Sequence, residues 1–181
     1  AFYGAKVIHP MTMIPAIRKS IPIRVLNTNS PECEGTVIVD RLEEDEKGIK
    51  SITIKEHVAI VNVIAAPMLN QYGFMSRITD VFARHEVVID MIATSEVSVS
   101  MSTDQRTNLD PVETELSEFS DVTIDRDKAI VSIVGERTRE RMGFAARVFD
   151  IVRDSGVRVD MISYGATRLN LSFVTESKDA R

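Results

Sequence analysis

From residue 51 onward, short runs of alternating or continuous apolar residues are separated by stretches whose apolar positions fall three and four apart. Residues 59–65 read as a buried strand, and Phe74, Ile78, Val81 and Phe82 make one apolar face at helical spacing. Residues 87–93 and 97–101 read as strands. Asn108-Leu109-Asp110-Pro111 then opens a second helix with proline in its first turn, carried by Val112, Leu116 and Phe119, and 122–125 returns as a strand. The sequence of elements is βαββαβ. It begins again with strand 129–134, helix 144–153 and strands 157–163 and 169–174. The chain stops where a further helix is expected, which suggests a C-terminal truncation.

The repetition is visible residue by residue. Gly73, Phe74, Arg77, Asp80, Val87, Asp90, Met91 and Ile92 recur seventy positions later as Gly143, Phe144, Arg147, Asp150, Val157, Asp160, Met161 and Ile162. Self-similarity at a fixed offset means two copies of one supersecondary unit. Residues 51–55 alternate as a strand but have no place in the first copy. An unpaired edge is an aggregation liability, so this strand is expected to join the sheet of the second module and thereby nest the first module inside the second.

The residues upstream have no counterpart in the repeat. Residues 5–8 suggest a helical turn ended by His9-Pro10, and 11–19 a helix with a break or a start near Pro15. Residues 21–26 and 36–39 read as short strands around the turn Asn27-Thr28-Asn29-Ser30-Pro31. Residues 40–48 are charged, poor in apolar positions and closed by Gly48, as a solvated linker is. The expected organisation is an upstream block at 1–39, a linker at 40–49, a first module at 57–127, and a second built from 50–56 with 128–181.

A chain of 181 residues, 44% apolar and 27% charged, is globular in composition and long enough for two small cores. A net charge of -5 and no basic stripe argue against nucleic acid as a partner. The longest nearly apolar run, 58–69, contains Asn62 and Pro67 and is too short for a membrane span. Cys33 is the only cysteine, which excludes an internal disulfide and fits a reducing, cytoplasmic setting. The chain opens without an initiator methionine or a leader and reads as the interior of a longer protein.

The loop before the first module's helix is the best candidate site. A glycine at the helix start, Gly73, lets backbone N–H groups approach an anion, and the helix dipole favours a carboxylate there. Asp90, in the strand that follows, could meet an α-ammonium, so the two together would grip a free amino acid. Thr94, Ser95 and Glu96 at the next turn add hydroxyls and a negative charge that suit a cationic side chain. From the pattern alone, the alternative is that Gly73 only permits the turn and Asp90 is a polar strand end. The second copy keeps Gly143 and Asp160 but places Arg137, Arg139 and Arg141 in its loop and Tyr164-Gly165-Ala166 in its turn, so it is expected to be structural. Nucleotide-binding and nucleophile motifs and metal-ligand spacings are missing from the sequence, and His9, His57 and His85 are scattered. Met11, Met13, Met91, Met101 and Met161 sit in apolar patterns and read as core filler.

Tyr3-Gly4-Ala5-Lys6-Val7-Ile8-His9-Pro10, followed by Ile21-Pro22-Ile23-Arg24-Val25, Asn27-Thr28 and Gly35-Thr36, resembles the end of the catalytic domain of aspartate kinases. The remainder is similar to the tandem ACT domains that follow in that family, and residues 92–100 resemble the effector turn of its lysine-sensitive members. The resemblance implies an α+β fold: two ferredoxin-like βαββαβ (ACT) modules, the first nested in the second, preceded by the tail of a kinase catalytic domain. It implies an allosteric region for the enzyme that phosphorylates aspartate. ATP and magnesium would be held by an upstream catalytic domain, with no cofactor in this fragment, which should be inactive alone. By similarity the effector positions are Met68, Gln71, Gly73, Phe74, Met75, Asp90, Thr94, Ser95 and Glu96, and the partners are free lysine, or alternatively threonine, and a second copy joined through the first ACT module. The remaining alternative is an ACT-type binding or dimerisation module of another metabolic enzyme.

Overall fold

Pro10, whose missing N–H leaves no donor unsatisfied at a helix head, opens α1 (Pro10–Ile17), and His9 Nδ1 accepts a hydrogen bond from the Met11 amide at 3.2 Å. The structure is a computed structural model that describes residues 8–39, 48–65, 72–136, 143–165 and 170–181. It comprises two units, 1–48 and 49–181. In the first unit, α1 runs through Pro15 rather than breaking or starting there. The start signal at His9-Pro10 prevails, and Pro15 costs the helix the one amide that would bond back to Met11. β1 (Ile23–Val25) and β2 (Thr36–Ile38) form an antiparallel hairpin with Ile23 opposite Ile38. Gly35 has φ 71°, and a Cβ there would stand 2.2 Å from the Val25 carbonyl oxygen, so the position requires glycine. One helix and a hairpin bury little: Met11, read from the sequence as core, is exposed, as are Ile21 and Leu26.

The second unit contains β3 (Gly48–Ile64), α2 (Phe74–Arg84), β4 (Met91–Thr94), β5 (Ser98–Asp104), α3 (Asp110–Leu116), β6 (Asp121–Glu136), α4 (Phe144–Asp154), β7 (Met161–Ser163) and β8 (Asn170–Glu176), closed by a 3₁₀ turn, Ser177–Asp179. One six-stranded sheet has the order β4-β5-β3-β6-β8-β7. The neighbours β3 and β6 each span both modules, so the chain passes through module 2, builds module 1 and returns. The first module is thus nested in the second.

Strands 51–55 and 59–65, read separately from the sequence, are one strand, and so are 122–125 and 129–134. Neither junction holds a proline or glycine to end the pairing. Each is instead turned by a single left-handed residue, His57 at φ 61° and Asp127 at φ 59°, seventy positions apart. Such a conformation costs a non-glycine residue roughly 1–2 kcal/mol. Gln105 bridges the two bends: its amide donates to the His57 carbonyl at 2.8 Å, and its Oε1 accepts from the Asp127 amide at 2.8 Å. The strands expected at 87–93 and 157–163 are shorter, beginning at Met91 and Met161.

Along β3 and β5, Ala59, Val61, Val63, Val99 and Met101 meet Ile78, Val81 and Phe82 of α2 and Val112 and Leu116 of α3. A smaller cluster in module 2 joins Ile133, Leu171 and Phe173 to Val148 of α4. The alternate residues Val58, Ile60, Ile130 and Val174, with Met91 and Met161, are also buried although they face away from the helices. β4 and β7, at opposite ends of the sheet order, lie close together, so the curled sheet covers its own second face. No helix among the described residues is long and apolar enough to cross a membrane.

Candidate functional site

Gly73 adopts φ 80° ahead of α2, and no side chain among the described residues caps that helix. A Cβ at Gly73 would meet nothing within 4 Å, so glycine is selected for its backbone conformation rather than for room. The first amides of α2 thus have no capping side chain among the described residues, and they stand at the positive end of the helix dipole. Phe74 is itself core: its ring packs edge-on against Phe119 with centroids 5.8 Å apart. The Arg77 guanidinium lies 3.7 Å from the centre of the Phe119 ring, and Met75 packs against the same core. The buried Phe74 leaves only its backbone to a ligand, whereas Met75 is half-buried. Met68 and Gln71 lie outside the described residues, as do the linker at 40–47 and Arg137, Arg139 and Arg141.

Ile64 pairs with Ser98, and the Ala65 amide donates to the Val97 carbonyl at 2.9 Å, so the turn after β4 sits at the end of β3 where the chain leaves that strand. That turn is held by its own hydroxyls. Ser95 Oγ lies 2.6 Å from Ser98 Oγ and accepts from the Ser98 amide at 3.2 Å. Thr94, Ser95 and Glu96 are all exposed.

Asp90 is elsewhere. Its amide donates to the Ser102 carbonyl at 2.8 Å, four residues along β5 from Ser98, which is about 13 Å at the usual rise per residue. One chain therefore does not bring Asp90 beside Gly73, because β4 lies between Asp90 and the Ser95 turn and the two must occupy its opposite ends. The Asp90 side chain is only 2% exposed and pairs with the Lys55 ammonium, a partner that the strand pattern of 51–55 did not announce. Nearby, Asp104 accepts from Arg106 Nε at 2.9 Å and Nη2 at 2.5 Å. The Arg106 guanidinium, aided by the charge of Lys55, holds the Asp104 carboxyl well below the usual range.

Module 2 handles the matching aspartate differently. Asp160 takes Lys128 Nζ at 2.7 Å and Arg158 Nε at 3.0 Å, while Lys128 also reaches Glu176 at 2.5 Å. Burial opposes the charge on Lys128, but the two carboxylates outweigh it and raise the lysine's pKa. Gly143 repeats the uncapped helix start with φ 80°.

An antiparallel sheet with helices on one face, written twice and interleaved, defines the ferredoxin-like class of regulatory modules, and the ACT domain model matches residues 131–181. The chain is 34% identical to chloroplastic aspartokinase 2 of Arabidopsis thaliana over 191 residues, covering 99% of this chain and 35% of that protein. Its structure superposes on E. coli aspartokinase III with a TM-score of 0.85 in the R-state with aspartate and ADP and 0.82 in the T-state with lysine and aspartate, at 29% identity, covering 99% of this chain and 41% of that one. It is 33% identical to a C-terminal regulatory domain of aspartate kinase from Porphyromonas gingivalis, with a TM-score of 0.62, covering 71% of this chain and 87% of that one. The chain belongs to the aspartate kinase family and corresponds to its C-terminal regulatory region. It spans about a third of the length of the curated relatives it matches.

Proposed function

We propose that this chain is the allosteric sensor of an aspartate kinase and that its first module binds a free amino acid, L-lysine in preference to L-threonine. The α-carboxylate would meet the amides of Phe74 and Met75 at the Gly73 helix start. The Ser95 turn, with Thr94 and Glu96, would take the side-chain ammonium, and Met68 and Gln71 would flank it. Asp90 would take the α-ammonium from a second copy of the chain, since a two-fold axis across β4 exchanges the ends of that strand. This makes the site a product of homodimerisation through module 1.

The observation that carries the reading is a left-handed glycine helix start, with no cap among the described residues, in the module whose β4–β5 turn is pre-ordered by Ser95 and Ser98 and bears an exposed Glu96. The lysine-bound T-state of the E. coli relative supports lysine as the effector. An effector biases its enzyme only through unequal affinity for two states, so lysine would favour one dimer arrangement. The transfer of phosphate from ATP, with magnesium, to the side-chain carboxylate of aspartate would belong to a catalytic domain outside these residues, and this chain alone should show no turnover.

Calorimetry with L-lysine and L-threonine in separate titrations tests the reading. Lysine should bind, and Glu96→Gln should weaken it roughly 10-fold, the loss expected of one charge-assisted contact. Threonine binding alone would reassign the ligand. Binding of neither amino acid, with sedimentation showing only monomer, would sink the sensor.

A further inference from the structure

Asp90 faces a requirement whether or not a ligand is present. A carboxylate only 2% exposed needs a counter-charge at all times, since a buried unpaired charge is strongly destabilising. In this chain Lys55 supplies it. We propose that Lys55 is the built-in occupant of the Asp90 carboxylate and that the ammonium of a bound amino acid displaces it. This rests on the reading of Asp90 as an effector contact and adds the residue that competes with the effector.

Three features of the geometry support the exchange. The Lys55 side chain is 21% exposed against 2% for Asp90, so water already reaches the ammonium and the cation is the partner able to leave. Its charge also acts on Asp104, which stands opposite Val58 on β5 and whose carboxylate Arg106 anchors. Replacing one ammonium by another leaves Asp90 neutralised throughout, so the exchange strands no buried charge and selects for ligands that carry an ammonium.

The repeat shows that this arrangement is particular to module 1. Asp160, the counterpart of Asp90, is held by Lys128, whose side chain is 9% exposed and which is pinned by Glu176 as well. Seventy positions before Lys128 stands Val58, and seventy after Lys55 stands Asp125. The two aspartates thus draw their lysines from non-equivalent places. Module 2 uses a buried lysine tied by two carboxylates, whereas module 1 uses a partly exposed one on the half of β3 that follows the linker in sequence. Displacing Lys55 would break that segment's ion pair with the residue ahead of β4, turning ligand binding into a change in the strand that leads back to the first unit.

Calorimetry on the 181-residue chain with L-lysine and L-threonine, comparing the parent with Lys55→Met, Lys55→Arg and Asp90→Asn, tests the proposal. With its competitor removed, Lys55→Met should bind the parent's amino acid about 5- to 100-fold more tightly, the usual span of coupling between sites. Lys55→Arg, able to hold Asp90 through two parallel hydrogen bonds, should bind it more weakly. Affinity unchanged or lowered in Lys55→Met, with binding lost in Asp90→Asn, overturns the displacement and leaves the sensor standing. No binding by the parent or any variant overturns the sensor reading itself. If Lys55→Met does not fold, Lys55→Arg decides: weaker binding supports the exchange, and equal binding refutes it.

Discussion

Module 1 and module 2 start from the same residues, and their matching half-strands differ in burial among the residues described. In module 1, α3 and Phe119 lie over Val122 and Ile124, which pack against its core. Seventy positions earlier, on the matching half-strand of module 2, Ile52 is 61% exposed and Ile54 is 37% exposed. The half-strands are alike in pattern, so burial here is decided by whether a helix covers the face and not by the apolarity of the strand. The ionic sites diverge in the same sense. Asp160 sits in a closed group with Lys128, Arg158 and Glu176, whereas Asp90 has a partly exposed lysine. A duplicated unit has kept its frame in both copies while one copy buries the lysine of its ionic site and the other leaves it partly exposed.

Removing the cover is the most forceful way to break this contrast. Leu116 is fully buried in α3, and Leu116→Ala should cost about 2–5 kcal/mol, partly by uncovering the face to which Val122 and Ile124 belong. Hydrogen exchange should show the loss falling on module 1 amides, and uniform loss across both modules would mean that they unfold as one unit.

The closed ionic group of module 2 is next in magnitude. Lys128→Met should lower stability by about 3 kcal/mol, because it leaves Asp160 and Glu176 facing one another with, among the described residues, Arg158 alone in reach of Asp160. Chemical denaturation measures this. A loss below about 1 kcal/mol would show that the group is solvated like a surface pair.

The two helix-start glycines sharpen the comparison further. Gly73→Ala and Gly143→Ala each force an L-residue to φ 80° in open space, so each should cost about 1–2 kcal/mol. Only Gly73→Ala should also weaken amino-acid binding, which separates a conformational role from a ligand role in one pair of titrations.

The smallest effects come with pH and run in opposite directions. In module 1, Arg106 depresses Asp104, and Arg84, followed by His85, depresses Glu115. Depressed carboxylates contribute stability above their ordinary values near pH 4, and it is lost as pH falls through the folded values. In module 2 the pKa of Lys128 is raised, so its contribution is full below about pH 10.4 and is lost as pH rises through the folded value. Residue-resolved hydrogen exchange after brief acid or alkaline exposure should therefore loosen module 1 first in acid and module 2 first in base.

The helix faces of α2 and α4 and the glycines at both helix starts were legible in the chain, because each is local: a period of 3.6 or 2, or a backbone angle that only certain residues adopt; the repeat was legible as a fixed offset, and the nested order from a strand at 51–55 with no place in the first copy. Asp90 was legible as a charged strand end recurring as Asp160. Its partner was not, since Lys55 lies in another segment and periodicity carries no information on which side chains meet across strands. The same limit hid the continuity of β3 and β6. Left-handed turns at His57 and Asp127, held by Gln105 from a third segment, leave no mark in residue pattern. Composition and period chose the elements; the curl of the shared sheet decided which charges face each other, because ion pairing depends on distances that only the assembled strands create.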